Sequence, residues 1–214
     1  MAGRRGCRDT GTGVGENGPV DNAAAADRTD VSAPGPRQQG HPTDGAGPGD
    51  RRSAGADTTD GLLFRAVLGQ FPTGVTVVTA NTPDGPVGLA VGSFTSVSLD
   101  PPLVGFLPAQ TSASWPLIRD AGAFCVNVLA ADQEDIARAF ATPGADRFGD
   151  RVWTAAPHSG APILDGVLAW IDCDVTGVSE AGDHHFVLGC VRALGAATDG
   201  SPLVFFRGSY RHLA

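Results

Sequence analysis

The chain has 214 residues and a formal net charge of −8, and 42% of its residues are hydrophobic. The negative charge argues against a nucleic-acid binder, which would carry a basic footprint, while the apolar content suffices for a folded core of one or two domains. No apolar run approaches the roughly 20 residues of a membrane helix, and none follows the N-terminal arginines as in a secretory signal, so we expect a cytoplasmic protein.

Residues 1–57 differ in composition from the rest of the chain. They contain twelve glycines and five prolines, no aromatic residue, and no Leu, Ile or Met beyond Met1. Such a segment cannot bury enough apolar surface to offset the entropy lost on ordering. We therefore predict a disordered tail over residues 1–57, or a start codon assigned too far upstream, followed by one folded domain over residues 58–214.

The folded part is predicted to begin with a helix, a strand and a turn. Over residues 60–71 the apolar residues recur at helical spacing, and Pro72 is expected to end the helix. Residues 75–80 are rich in β-branched side chains, which is typical of a strand. Residues 81–86 read Asn-Thr-Pro-Asp-Gly-Pro and are dense in turn formers.

A ribbon over residues 87–102 carries no charge before Asp100. It reads Val-Gly-Leu-Ala-Val-Gly-Ser-Phe-Thr-Ser-Val-Ser-Leu-Asp-Pro-Pro, an apolar strand and a hydroxyl-rich strand joined at Gly92. Two extended runs this close together predict antiparallel or kinked strands. Alternation would then separate two faces, Phe94, Ser96 and Ser98 on one and Ser93, Thr95 and Val97 on the other. Such a ribbon suits a flat, half-polar ligand, and an ordinary solvent-facing strand is the alternative.

The remaining predicted elements are short. Helices are expected over residues 115–121 and 132–141, with Ser114 and Asp132 as their caps. Strands are expected over residues 103–107, 124–129, 168–178, 184–193 and 203–207, with loop over residues 142–163. About eight strand segments against three helices, without a βαβ rhythm, predict an antiparallel barrel or sandwich with attached helices. None of the four cysteines forms a C-x-x-C pair, so we expect no metal.

Six segments match one known family in order. They are Phe-Arg-Ala-Val-Leu-Gly-Gln-Phe-Pro-Thr-Gly-Val-Thr-Val-Val-Thr (64–79), Ser-Phe-Thr-Ser-Val-Ser-Leu-Asp-Pro-Pro-Leu-Val (93–104), Phe-Cys-Val-Asn-Val-Leu (124–129), Arg147-Phe148, Gly182-Asp183-His184 and Pro-Leu-Val-Phe-Phe-Arg-Gly-Ser-Tyr (202–210). In these motifs the chain resembles the flavin reductase-like, FMN-binding split-barrel family, the reductase components of two-component flavin monooxygenases. The resemblance covers about residues 62–213, and six motifs in register make it specific.

The resemblance implies a mainly β fold, a six-stranded antiparallel Greek-key split barrel that forms a homodimer with flavin near the subunit interface. It also implies a reaction in which NADH or NADPH reduces FMN or FAD, after which the reduced flavin diffuses to a separate monooxygenase or halogenase. Hydride transfer between two stacked rings needs no protein nucleophile and no metal. We therefore assign no catalytic residue.

Flavin contacts are expected at ten positions. The main chain over residues 90–93 is expected to serve the polar edge of the flavin ring, because a glycine kink leaves N–H and C=O groups free. The resemblance implies further flavin contacts from a turn beside the ring, from residues on the ribityl-phosphate side and from residues that bind the phosphate. The full set is Ala90, Val91, Gly92 and Ser93 for the ring edge, Thr73 and Gly74 for the turn, Val97 and Ser98 for the ribityl side, and Ser112 and Ser114 for the phosphate. A turn without ligand and a plain helix cap remain the alternatives for Thr73-Gly74 and for Ser114.

The nicotinamide contact is expected at His184. Gly182-Asp183-His184 matches a family motif that is associated with NADH binding, and a histidine can stack on or hydrogen-bond to the nicotinamide. His185 should point the opposite way along the strand. Without the resemblance, the same residues read as a turn and the first residue of a strand.

The sequence departs from the family pattern at three places. Ala90 replaces the usual Thr, Gly92 replaces Asn or Ser, and the loop over residues 109–114 lacks the Arg or Lys often found there, so that phosphate would rest on neutral donors. Each lost hydrogen bond is worth about 0.5–1.5 kcal/mol, so we expect weak, exchangeable flavin binding. Two alternatives stay open: a split-barrel flavoprotein that holds FMN tightly and acts on another small substrate, and a non-catalytic flavin-binding module.

Overall fold

The structure, a computed structural model, describes residues 61–213, so the predicted tail over residues 1–57 lies outside the described residues. Three helices fall within this range: α1 (Gly61–Leu68), α2 (Ser114–Ala121) and α3 (Glu134–Ala141). None of these helices is long enough and apolar enough to cross a membrane.

Strands make up most of the described chain, and every pairing between them is antiparallel. This confirms the prediction of an antiparallel, mainly β fold with attached helices. The strands are β1 (Thr73–Gly74), β2 (Thr76–Thr82), β3 (Gly85–Val91), β4 (Thr95–Leu99), β5 (Pro102–Phe106), β6 (Ala123–Val128), β7 (Trp153–Ala155), β8 (Pro162–Leu164), β9 (Ala169–Ala181), β10 (His184–Ala196), β11 (Leu203–Phe206) and β12 (Ser209–His212).

The main sheet curves back on itself at the predicted kink. Its order is β3-β2-β6-β9-β10-β5-β4, and β1-β11-β12 and β7-β8 form two smaller sheets. β3 and β4 are the two edges of the main sheet, yet only residues 92–94 separate them along the chain. A connection this short spans at most about 14 Å, so the two edges approach each other and the barrel is split between them. The sheet has seven strands where six were expected, because β3 and β4 pair with different neighbours on either side of the kink.

Side-chain alternation on β4 differs from the prediction. The pairing of β4 with β5 shifts register between Ser96 and Ser98. Such a bulge adds an unpaired residue and changes the direction of the side chains around it. The shift falls between Ser96 and Ser98, so these two residues do not keep the common face that strict alternation predicted.

Both predicted helix caps are wrong. Ser114 is the first helical residue of α2, and Ala113 occupies the cap position without a side-chain bond. The Ser114 hydroxyl instead accepts a hydrogen bond from Arg147. At α3 the cap position belongs to Gln133 rather than to Asp132, again without a side-chain cap bond.

Several predicted boundaries also shift. α1 ends at Leu68 instead of Phe71, because the chain tightens into i→i+3 hydrogen bonds over the next residues. The predicted turn over residues 81–86 shrinks, since β2 and β3 stay paired up to Thr82 and Gly85. The loop predicted over residues 142–163 contains the β7–β8 hairpin, and β12 follows a turn at which Arg207 has a positive φ of 50°.

Both faces of β2 are buried, and a helix covers each of them. Val78 belongs to the apolar cluster that includes Trp115 of α2, whereas Val77 belongs to the cluster that includes Phe140 of α3. Consecutive strand residues point to opposite faces, so α2 and α3 lie on opposite sides of the strand. The loop before α2 and the loop after α3 are thereby brought to the kinked end of β3.

Candidate active site

A cavity of about 800 Å³ lies where these loops meet the kink. Its walls come from residues 89–93, from the loop over residues 107–113, from residues 140–147 and from His184 at the start of β10. The volume is within the range of sites for small ligands and cofactors. Of these wall segments, the sequence singled out neither residues 140–144 nor Thr111, since no local pattern distinguishes them.

Six of the eleven predicted contact residues line this cavity: Ala90, Val91, Gly92, Ser93, Ser112 and His184. They come from three parts of the chain that only the fold brings together. The other five lie outside the lining: Thr73, Gly74, Val97, Ser98 and Ser114.

Thr73 and Gly74 lie next to the kink. They pair with Phe205 and Val204 of β11, and a Cβ added to Gly92 would come within 3.0 Å of the Thr73 hydroxyl oxygen. Contact with Thr73 therefore favours glycine at position 92 regardless of any ligand. A larger residue at position 92 would require the Thr73 side chain to shift by a few tenths of an ångström.

The kink leaves main-chain groups available to a ligand. Within residues 61–213, neither Gly92 nor Ser93 takes part in a backbone–backbone hydrogen bond. The Ser93 hydroxyl accepts from the Leu107 N–H at 2.9 Å and donates to the Leu107 carbonyl at 3.2 Å. Because the hydroxyl proton is used in this pair, a hydrogen bond that Ser93 donates to a ligand would come from its main-chain N–H.

The start of α2 borders the opposite part of the wall. Ser112 lines the cavity, and its hydroxyl oxygen accepts from the Trp115 N–H at 3.3 Å. The hydroxyl proton of Ser112 thus stays available for an acceptor in the cavity. The first N–H groups of a helix and its dipole favour an anion at this position.

A cation reaches this end of the cavity from a distant loop. Arg147 lines the cavity, and its Nη1 donates to the Ser114 hydroxyl at 2.8 Å. The loop over residues 109–114 has no basic residue of its own, but it folds against an arginine 33 residues beyond Ser114, so a cation lines the cavity beside the neutral donors. The sequence marked Arg147-Phe148 only as a family motif, which was the one signal that could have found it.

The guanidinium of Arg147 is incompletely paired. Its Nε–H is buried and has no hydrogen-bond partner within the part of the chain that the structure describes. A buried unpaired donor costs about 1–3 kcal/mol, and more when it is charged. Arg147 therefore keeps unused capacity for hydrogen bonding, and together with Ser112 and the start of α2 it offers one cation and several neutral donors to an anionic group.

His184 lies at the rim of the cavity, at the β9–β10 turn. Its Nδ1 is 2.7 Å from a carboxylate oxygen of Asp183. The hydrogen bond from His184 and its charge hold the pKa of Asp183 below its usual range. An ionised carboxylate only accepts hydrogen bonds, so Nδ1 carries the proton and Nε2 is left for another partner.

His185 has a different environment, as the alternation predicted. Its Nδ1 accepts a hydrogen bond from the indole N–H of Trp115 at 3.2 Å, and Trp115 is almost fully buried. His185 does not line the cavity. Of the two neighbouring histidines, only His184 can therefore reach a ligand there.

Comparisons with known proteins agree on one family. The family model described as flavin reductase like domain matches residues 68–214. A flavin reductase of Pseudomonas putida is 55% identical over 152 residues, which cover 71% of this chain and 89% of that protein. The reductase subunit HsaB of a flavin-dependent monooxygenase of Rhodococcus jostii (strain RHA1) is 46% identical over 155 residues, covering 72% and 79% respectively. Among solved structures, the NADH:FAD oxidoreductase SgcE6 of Streptomyces globisporus C-1027 is 38% identical with a TM-score of 0.70, covering 74% of this chain and 96% of that chain.

Proposed function

Because the chain belongs to the flavin reductase like domain family, we propose that it is an NAD(P)H-dependent flavin reductase. It supplies reduced FMN or FAD to a partner monooxygenase or halogenase. The observation that carries this proposal is a single cavity bordered by the free main chain of the kink, by Arg147 beside the start of α2, and by His184. These three features match the ring edge, the phosphate and the nicotinamide of the two reactants.

The flavin, when bound, supplies the redox chemistry by accepting a hydride at N5 from C4 of the nicotinamide. The chain contributes position. Main-chain groups at Gly92 and Ser93 hold the polar edge of the ring, and Leu89 and Leu107 provide apolar wall. Arg147 and Ser112 hold the phosphate.

The predicted contacts outside the lining take supporting roles in this proposal. Ser114 orients Arg147 through its hydroxyl. Thr73, with Gly74 beside it, supports the kink at Gly92. Direct flavin contacts by Val97 and Ser98 on β4 stay predictions.

His184 receives the nicotinamide. Asp183 fixes the orientation of the imidazole, and 41% of the His184 side chain is exposed, so a second planar molecule can enter over it from solvent. The reduced flavin can leave by the same open side. Because reduced nicotinamide is a metabolite of the cytoplasm, the proposal places the reaction there.

A turnover assay tests the function. Purified protein is mixed with NADH or NADPH and with FMN, FAD or riboflavin, and oxidation of the nicotinamide is followed by absorbance at rising flavin concentration. We expect steady oxidation of NADH that saturates with free FMN or FAD. Flavin binding without nicotinamide oxidation, or turnover independent of added flavin, would contradict the proposal and support one of the two alternatives.

Replacing His184 by Ala should weaken nicotinamide binding. The loss of one polar contact corresponds to a rise of about three- to tenfold in the Michaelis constant for NADH, with a small change in that for flavin. Steady-state kinetics on the variant measure both constants. His212→Ala is the matched control, since His212 is exposed on β12 and does not line the cavity. Equal NADH constants in the two variants would remove His184 from the site.

The surface of α1 supports a homodimer. None of its residues is buried, although its sequence is Gly-Leu-Leu-Phe-Arg-Ala-Val-Leu. Phe64 is 61% exposed, and Phe71 just beyond the helix is 72% exposed. Contiguous exposed apolar surface of this kind marks an interaction site. Phe71 lies two residues before Thr73, which contacts the kink, so a second copy on this surface would bring the subunit interface close to the flavin.

Replacing Phe64 by Asp should dissociate the dimer. A charge in the middle of an apolar interface must lose its hydration without a partner, which costs several kcal/mol. Analytical ultracentrifugation at micromolar concentration should show the wild type as a dimer and Phe64→Asp as a monomer. Leu117→Asp introduces the same charge at an exposed leucine of α2 and should stay dimeric. A monomeric wild type would refute this assembly.

A further inference from the structure

The loop before α2 and the β9–β10 turn are hydrogen-bonded to each other. The Gln110 N–H donates to the Asp183 carbonyl at 2.9 Å, and the His185 N–H donates to the Pro108 carbonyl at 3.0 Å. Ala109 and His184 form an antiparallel bridge between these bonds. Residues 108–110 therefore continue the pairing of β5 with β10 beyond Phe106 and Val187.

Two side chains reinforce this contact. The Nε2 of Gln110 donates to the Gly182 carbonyl at 3.1 Å, and the indole of Trp115 donates to His185. Gln110 is the only one of these side chains that reaches the tip of the turn. Gly182 has a positive φ of 64° and Asp183 is almost fully exposed, so the tip itself has little packing to hold it.

The loop over residues 107–113 contributes to two functions at once. Ala109, Thr111 and Ser112 line the cavity near Arg147, whereas Gln110 between them faces the turn that carries His184. A ligand that binds against this loop therefore also acts on the position of the turn, because main-chain and side-chain hydrogen bonds join the two. Two sites that bias the same element are thermodynamically coupled, and the coupling is reciprocal.

We propose that Gln110 is a positioning residue that couples the two ends of the cavity. Through its bond to Gly182, binding of a phosphate-bearing flavin beside Ser112 and Arg147 favours the position of His184 that receives nicotinamide. This inference rests on the proposed function, since it assumes that both reactants bind in this cavity. Gln110 does not touch either reactant and acts through the turn.

Binding of the oxidised pair, FMN and NAD⁺, measures the coupling without turnover. The dissociation constant of FMN is determined from its fluorescence, alone and with saturating NAD⁺. For the wild type we expect FMN to bind about fivefold more tightly with NAD⁺ present, at the lower end of typical couplings. In Gln110→Met, which keeps the length of the side chain and loses the donor to the tip of the turn, the ratio should fall clearly below that of the wild type, although the two main-chain bonds remain. The FMN constant measured alone should change less than about twofold.

Thr82→Val is the matched control. It removes a side-chain hydrogen bond to a carbonyl, that of Gly85 at 2.7 Å, in the turn between β2 and β3 and away from the cavity. Its FMN ratio should equal that of the wild type. Gln110→Ala provides a second variant, and thermal unfolding without ligands should be unchanged for both Gln110 variants because Gln110 is exposed.

The outcomes separate this inference from the proposed function. A wild type without any coupling, or a Gln110→Met variant that keeps the wild-type ratio, would overturn the role of Gln110 even if NADH turnover is normal. A wild type that oxidises no NADH with free flavin would refute the proposed function. Weaker coupling in Gln110→Met together with normal coupling in Thr82→Val would support the inference.

Discussion

Replacing Arg147 by Met should raise the Michaelis constants for FMN and FAD by about tenfold to a hundredfold, because a hydrogen bond to a charged group is worth about 1.5–3 kcal/mol. Arg147 is the one cationic side chain that lines the cavity in the described part of the chain. Riboflavin lacks phosphate, so its Michaelis constant should change little in the same variant. Steady-state kinetics with the three flavins at saturating NADH measure this difference.

The comparison between flavins separates binding from folding. Damage to the site by misfolding would affect riboflavin as much as FMN, whereas loss of a phosphate contact would not. Arg119→Met is the matched control, because Arg119 lies on α2, makes an exposed ion pair with Asp120 and does not line the cavity. Equal losses for FMN and riboflavin in Arg147→Met would show that Arg147 supports the structure and does not bind phosphate.

The sequence predicted those features of the fold that a local pattern of residues determines, and it did not predict which strands pair. Gly92 between two extended runs indicated the kink, and the kink is observed between β3 and β4. β3 and β4 lie at opposite edges of the sheet because they pair with β2 and with β5. No local sequence pattern determines these pairing partners. The bulge at Ser96 arises from the same pairing, which explains why strict alternation failed there.

The site was predictable only in part for a similar reason. The resemblance assigned Ser112 to the phosphate and His184 to the nicotinamide, and both residues line the cavity. Arg147 was missed because its contact with Ser114 depends on how the loop after α3 packs beside the start of α2. The absence of a basic residue from a loop in the sequence therefore says little about the charge of that loop in three dimensions. The expectation of weak flavin binding loses one of its three premises with this finding.

Asn127 shows that a family motif can mark structure as well as chemistry. It belongs to the Phe-Cys-Val-Asn-Val-Leu segment that carried the resemblance, yet it does not line the cavity and is fully buried in β6. The two hydrogens of its amide nitrogen are shared among the Val77 carbonyl, the Thr79 hydroxyl and the Pro162 carbonyl, which lie 3.1–3.3 Å from that nitrogen. Its amide oxygen accepts from the Leu164 N–H at 2.8 Å. One side chain thus joins β6, β2 and β8.

We expect Asn127→Ala to lower the free energy of unfolding by about 3–5 kcal/mol, since several buried polar groups lose their partner at once. Urea unfolding followed by tryptophan fluorescence measures the change. The control is Asn81→Ala, at an exposed asparagine of β2, whose free energy of unfolding should stay within about 0.5 kcal/mol of the wild type. If Asn127→Ala does not fold, Thr79→Val tests the same network, because its hydroxyl donates to the Pro162 carbonyl at 2.6 Å, and a loss of about 1–2 kcal/mol is expected. Stabilities of Asn127→Ala and Asn81→Ala that coincide would mean that the network does not hold the β7–β8 hairpin on the barrel.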